Sequence, residues 1–183
     1  MDERAGAATL QGKPLTLIGK ELRVGDAMPD CDLVDANGLP VKLSAFKGKP
    51  LIISSVLSLD TPVCDMQTRR FNDEATKLNK NLNIVSISMD LPPALKRWCG
   101  ASGCSQIKTL SDHKDASFGR AFGTLIKEIR LLARIVLVVD SKGTIRYVEY
   151  VKEATQHPNY EKALQEVEKL ISEKPQMASK GAS

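Results

Sequence analysis

The run Leu51-Ile52-Ile53-Ser54-Ser55-Val56 constrains this chain more than any other stretch. It is apolar and β-branched over its length, which reads as a buried strand. The pattern then changes to that of a helix. Asp60 or Thr61 can cap it, Pro62 suits its first position, and Cys64 falls in its first turn. Phe71, Ala75 and Leu78 recur at helical spacing, so the helix is expected to run to about Lys80.

A thiol at that point sits among unpaired backbone N–H groups at the positive end of the helix dipole. Such a setting favours thiolate over thiol. An ordinary cysteine is only ~3 % ionised at pH 7, and bringing one to ~90 % requires ~3.4 kcal/mol of differential stabilisation. A helix terminus supplies ~0.3–1 kcal/mol, or ~2 when partly buried. A reactive thiol here therefore needs a cation as well, most simply an arginine. The competing reading is a small, inert core cysteine. Placement alone leaves both open.

The remaining chain alternates strands and helices. Pro14–Ile18 and Glu21–Val24, around Gly19-Lys20, read as a β-hairpin, and residues before about Gly12 as poorly ordered. Cys31–Asp35 and Pro40–Leu43 read as a second hairpin turning at Ala36-Asn37-Gly38. Ser44 opens a short turn or helix. Asn83–Met89 and Arg134–Val139 are further apolar strands, and Ile107–Leu110 a short one. Ala94–Cys99 should be helical, ending at Gly100, and Ala116–Phe122 forms a short helix. Thr144–Val151 alternates as an antiparallel strand with one wet face does. Tyr160–Ile171 closes the fold as an amphipathic helix, and residues 173–183 read as a disordered tail.

Strand–helix–strand, then a strand hairpin and a helix, is the order of a thioredoxin-like α/β fold, here with N-terminal β-hairpin additions. The 183 residues suit a single domain, and no linker or repeat argues otherwise. A net charge of +4 without basic runs interleaved with aromatics argues against nucleic acid. No stretch approaches the ~18 apolar residues that span a membrane, and no secretory signal is visible, so a cytoplasmic location is expected. In that compartment the four cysteines are expected reduced, catalytic or metal-binding rather than a disulfide framework. Metal binding finds little support. His113 and His157 lie far from any cysteine, and Cys99 and Cys104 have neither zinc-knuckle spacing nor a second pair.

The segment Asp60-Thr61-Pro62-Val63-Cys64, with Gln67-Thr68-Arg69-Arg70-Phe71-Asn72, resembles the peroxidatic-cysteine motif of the thiol peroxidases. These form the atypical two-cysteine branch of the peroxiredoxins. Lys96-Arg97-Trp98-Cys99-Gly100 is similar to that family's resolving-cysteine segment. Leu131-Leu132-Ala133-Arg134 and His157-Pro158-Asn159-Tyr160-Glu161 extend the resemblance, which covers about Gly12 to Ile171. The general pattern Pro-x-x-x-Thr-x-x-Cys is met at Thr61 and Cys64 but not at Leu57, where the family has proline.

The resemblance implies Cys64 as the peroxidatic cysteine, Thr61 as its hydroxyl partner and Arg134 as the required cation. It implies Cys99 as the thiol that condenses with the Cys64 sulfenic acid. The two lie 99 − 64 = 35 residues apart, on different elements. Because a disulfide needs Cα atoms within about 7 Å, the turn at Cys64 and the helix at Cys99 should unwind in each cycle. Hydrogen peroxide and small organic hydroperoxides are the implied substrates, thioredoxin or a similar dithiol the reductant, and a homodimer the assembly. No cofactor is implied. A redox relay or sensor, or a degenerate non-catalytic module motivated by Leu57, is the alternative. A thioredoxin-type disulfide reductase is disfavoured because Cys-x-x-Cys is absent. Cys31 and Cys104 have no place in the motif and read as spectators, with Cys104 close enough in sequence to exchange with Cys99.

Overall fold

The computed structural model describes residues 1–78 and 81–173. Its strands in chain order are β1 (Glu3–Leu10), β2 (Lys13–Ile18), β3 (Asp32–Asp35), β4 (Pro40–Lys42), β5 (Leu51–Ser55), β6 (Asn83–Ser88), β7 (Ile107–Ser111), β8 (Leu125–Ile126), β9 (Ile135–Val139) and β10 (Ile145–Tyr150). The helices are α1 (Pro62–Leu78), α2 (Pro92–Ser102), α3 (Ser117–Ala121) and α4 (Tyr160–Ser172). The central sheet has seven strands in the order β10-β9-β5-β6-β7-β3-β4, and a small sheet has the order β1-β2-β8.

The unbroken apolar runs follow from burial on both faces. Ile52 of β5, Ile84 of β6, and Val136 and Val138 of β9 cluster with Phe71 and Ala75 of α1 and Ala163, Leu164 and Val167 of α4. Their neighbours Leu51, Ile53, Val85, Ile87, Leu137 and Val139 cluster on the opposite side with Leu43, Phe118 and Phe122. Each side chain of this size contributes about 1.5–3 kcal/mol when fully buried. Strand β5 pairs in parallel with β6, reached through α1, and antiparallel with β9. The end of β5 thus opens at the middle of the sheet, outside the strand's carboxyl end, where open α/β sheets place their sites.

This is the thioredoxin-like α/β architecture expected, with differences at its margins. Residues 1–12 contain β1 rather than disorder, because β1 pairs with β2 across a turn at Gln11-Gly12. The first hairpin is therefore β1–β2, and Glu21–Val24 is not a strand. Gly19 bends the chain where it packs against Arg120 rather than turning a hairpin. It lies at φ +106°, where an added Cβ would stand 2.2 Å from the Arg120 carbonyl oxygen. Helix α2 passes through Gly100, which weakens a helix without stopping it, and ends where Gly103 takes the left-handed conformation, φ 70°. Strand β8 has only two residues, too few to leave a periodic signal. The β3–β4 hairpin forms as expected. The tail expected at 173–183 lies, beyond Glu173, outside the described residues. Among the described residues no helix is long and apolar enough to cross a membrane.

Candidate active site

A third apolar cluster lies where the end of β5, the starts of α1 and α2, and the β1–β2 hairpin meet. It contains Val56, Leu57, Leu59, Cys64, Leu95, Trp98, Ala133 and Ala154, with Cys99 and Cys104 packed against it. Helix α1 begins at Pro62 as its residues dictate, though the two candidate caps are engaged elsewhere, the Asp60 carboxylate by Arg97 at 2.9 Å and the Thr61 hydroxyl by the Ser58 carbonyl. The Asp65 N–H donates to the Thr61 carbonyl at 3.0 Å, closing the first helical turn, with Pro62 at its first position and Cys64 two residues further on. The loop leading in is pinned by Asp90, at the end of β6. Its carboxylate accepts the Ser58 hydroxyl at 2.7 Å and the Leu59 N–H at 2.8 Å.

Cys64 is only 1 % exposed, and Arg134, which immediately precedes β9, 2 %. A buried guanidinium must have its donors paired. Nη1 donates to Gln67 Oε1 at 2.6 Å, and Nη2 donates to the Ala154 carbonyl at 2.7 Å and to Cys64 Sγ at 3.4 Å. Nε also donates to the Ala154 carbonyl, at 3.3 Å. Gln67 is fixed in turn, its Nε2 donating to Ser54 Oγ at 2.6 Å. The structure thus brings Cys64 and Arg134 together across 70 residues of chain.

Thr61 is placed differently. It is exposed, and its hydroxyl donates to the Ser58 carbonyl at 2.7 Å. That bond orients the oxygen and leaves its lone pairs as acceptors. Leu57, where the resembling family has proline, is 8 % exposed and within the apolar cluster.

Cys99 lies on α2, partly exposed, with Sγ 3.1 Å from the Thr109 hydroxyl on β7. The residues beside the two cysteines are tied to each other. Asp65 accepts the Trp98 indole N–H at 2.8 Å, and also Arg69 Nε through both oxygens, at 3.0 and 2.9 Å. Arg69 then lies 5.6 Å over the Trp98 ring and donates to the Ser102 carbonyl at 3.2 Å. Cys31 is far from this arrangement in kind. It is buried in the opposite cluster, and burial, reinforced by the carboxylates of Asp112, Asp30 and Asp32, pushes its thiol well above the usual range. Cys104 is partly buried, between the site cluster and the helical face of the sheet.

Gln67, Asp90, Asp65 and the Ala154 carbonyl are site components that the sequence reading did not assign. Gln67 had a signal, since it follows Cys64 by three residues and so shares its helix face. A backbone carbonyl such as that of Ala154 has none. A surface cleft of about 410 Å³ lined by Arg70, Glu149, His157, Asn159 and Tyr160 shares the neighbourhood, but neither Cys64 nor Arg134 lines it. Among the described residues no group of His, Cys, Asp and Glu is placed to hold a metal ion.

The sequence profile of the redoxin family matches residues 23–164. The chain is 54 % identical over 164 residues to a thiol peroxidase of Bacillus subtilis (strain 168), a match spanning 89 % of this chain and 97 % of the relative. A peroxiredoxin-like protein from Aquifex aeolicus, solved as a crystal structure, is 33 % identical. It superposes with a TM-score of 0.84 over 93 % of this chain and 99 % of its own. A thiol peroxidase from Chromobacterium violaceum is 26 % identical, with a TM-score of 0.77 over 88 % of this chain and 97 % of its own.

Proposed function

The chain belongs to the redoxin family and is a thiol peroxidase within it, and from that premise we propose that Cys64 reduces the peroxide and Cys99 resolves the product. One observation carries the assignment: a buried arginine donates to the sulfur of a buried cysteine in the first turn of a helix. At 3.4 Å the attraction between a thiolate and a guanidinium is about 5 kcal/mol at an effective dielectric of about 20, before either group's desolvation is subtracted.

In the proposed cycle the Cys64 thiolate attacks one oxygen of the hydroperoxide. The S–O bond forms, the O–O bond breaks, and the departing oxygen leaves with the electron pair and takes up a proton as water or alcohol. Arg134 and the unpaired N–H groups of the first turn of α1 stabilise the charge that develops. Thr61, its hydroxyl hydrogen committed to Ser58, offers a lone pair to the peroxide O–H. Leu57 takes the proline's part in keeping water from the sulfur.

The Cys64 sulfenic acid then condenses with the Cys99 thiol. The S–S bond forms and water leaves. In this cycle the Asp65–Trp98 bond, which ties the residues next to the two cysteines, opens as the disulfide closes, and α1 and α2 loosen there together. A dithiol of the thioredoxin type reopens the disulfide by exchange and is itself oxidised to a disulfide. A homodimer, by family analogy, completes the proposal, with the cytoplasmic location and the single domain over residues 1–183 expected from the sequence. Cys31 stays outside the cycle because its thiol resists ionisation.

Peptide-mapped mass spectrometry after one equivalent of hydrogen peroxide, with alkylation of the remaining thiols, tests the assignment. The expected product is a Cys64–Cys99 disulfide with Cys31 and Cys104 alkylated. A Cys64 that stays a free thiol overturns it. A Cys64 oxidised without reaching Cys99 overturns the resolving role alone.

A further inference from the structure

Arg134 is aimed at the sulfur by a carbonyl that lies outside the central sheet. Ala154 belongs to the segment between β10 and α4, and it takes two of the guanidinium's hydrogen bonds. That segment is held by the N-terminal hairpin. The Thr9 N–H donates to the Lys152 carbonyl at 2.7 Å, and the Ala154 N–H donates to the Thr9 carbonyl at 2.8 Å. The side chain of Glu153 completes the junction. One of its oxygens accepts the Thr9 hydroxyl at 2.5 Å and the Gly12 N–H at 3.1 Å. The other accepts the Gln11 N–H at 2.8 Å and the Thr155 hydroxyl at 2.9 Å.

We propose that Glu153 is a positioning residue for peroxide reduction, clamping the β1–β2 turn to the Ala154 segment so that the Ala154 carbonyl holds Arg134 against Cys64. The inference rests on the reading of Arg134 as the cation that favours the Cys64 thiolate. The geometry is directional. Glu153 and Ala154 are consecutive, so a carboxylate anchored on the hairpin turn fixes the peptide plane whose oxygen faces the guanidinium. Donors from the turn, the strand and the loop itself converge on that carboxylate, and together they hold it down at about 2, the Thr9 hydroxyl contributing most and the Gly12 N–H next. It stays an acceptor throughout the physiological range. Without the Glu153 side chain the segment keeps the Ala154 and Thr9 backbone bonds and the Lys152 ammonium on the Gly6 carbonyl, but loses the acceptor that fixes the turn beside Ala154. A retreat of Arg134 by about 1 Å weakens its attraction for the sulfur by about a quarter, since the interaction falls as the inverse of distance.

The test is the rate of iodoacetamide alkylation of Cys64 in the full-length reduced protein, followed by peptide-mapped mass spectrometry at neutral and at strongly alkaline pH. Glu153→Ala should slow alkylation at neutral pH by about twofold and leave the alkaline rate unchanged. Glu153→Gln keeps one acceptor oxygen and should recover part of the loss. Arg134→Met, the reference variant, should slow the neutral reaction further. If Arg134→Met slows it and Glu153→Ala does not, the clamp is overturned and the role of Arg134 stands. If Arg134→Met has no effect, the reading of Arg134 falls and the clamp with it. Should Glu153→Ala fail to fold, Thr9→Val removes a single clamp hydroxyl. A lower melting temperature with an unchanged neutral rate in that variant would show a merely structural tie and also overturn the inference.

Discussion

Replacing Trp98 by Phe tests how the two cysteines are kept apart between turnovers. The indole N–H donates to a carboxylate that is itself paired with Arg69, so the substitution removes one charge-assisted bond and leaves Asp65 with a partner. Hydrogen bonds to charged groups contribute about 1.5–3 kcal/mol net, and the partial exposure of Asp65 puts this one near the lower figure. Losing about 1.5 kcal/mol from the closed form raises the loosened population about tenfold. In the proposed cycle the sulfenic acid at Cys64 has two fates, condensation with Cys99 or attack by a second peroxide to give the irreversible sulfinic acid. If loosening limits condensation, Trp98→Phe should form the disulfide about tenfold faster and need about tenfold more peroxide for half of Cys64 to become sulfinic. Rapid acid quench and mass spectrometry read both, without depending on the fluorescence of the chain's one tryptophan. An unchanged or greater sulfinic yield, with the first peroxide step unaltered, would refute the view that this contact restrains resolution.

Three further outcomes follow from other parts of the structure. Arg134→Met should lower the rate of peroxide reduction by about 10²–10³-fold, the usual effect of deleting one preorganised donor, with Arg134→Lys falling between, measured by peroxide consumption. Burial pushes the Asp112 carboxyl up to about 6 from 3.8, against the lowering effect of the Gly119 and Phe118 N–H groups. Between those values the native state binds more protons than the unfolded one, so stability falls as pH rises from about 4 to 6, by at most about 3 kcal/mol. Asp112→Asn should flatten that slope in denaturant titrations, and an identical slope would exclude Asp112 as its source. Gly19→Ala should destabilise the protein by about 2 kcal/mol, a fall of about 4–8 °C in Tm by calorimetry, because the new Cβ would meet the Arg120 carbonyl in a left-handed backbone.

The sequence disclosed those parts of the fold whose signal is local. Buried strands announce themselves as apolar runs, and α1 and α4 through helical spacing. The position of Cys64 in a first helical turn was legible for the same reason, since Pro62 lies two residues before it, but placement left an inert core cysteine open as well. Arg134 was not legible from its surroundings and was reached through family resemblance, because an arginine before an apolar strand reads more readily as a surface charge. Residues 1–12 read as disordered because their small and polar side chains carry no strand pattern, and although the β2 partner is adjacent, the contacts that anchor the hairpin are distant. Arg4 reaches Glu21 and the Gly123 carbonyl, and Thr9 reaches Glu153, 144 residues away. Gly100 misled because glycine has two meanings in a helix, and only a left-handed backbone, found at Gly103, marks an end.

The long reach of the N-terminal hairpin also bears on how the protein is made. Chains leave the ribosome at about 5–20 residues per second, and N-terminal parts are available first. Here the first strand's partners in the 152–154 segment are among the later residues to emerge, and the guanidinium that faces Cys64 comes 70 residues after it. Under the proposed roles, Cys64 on a nascent chain waits for the group that would arm it until Arg134 has emerged and the hairpin has met the 152–154 segment. Arming is then the last assembly step rather than the first, and a growing polypeptide exposed to peroxide is spared premature oxidation of that thiol.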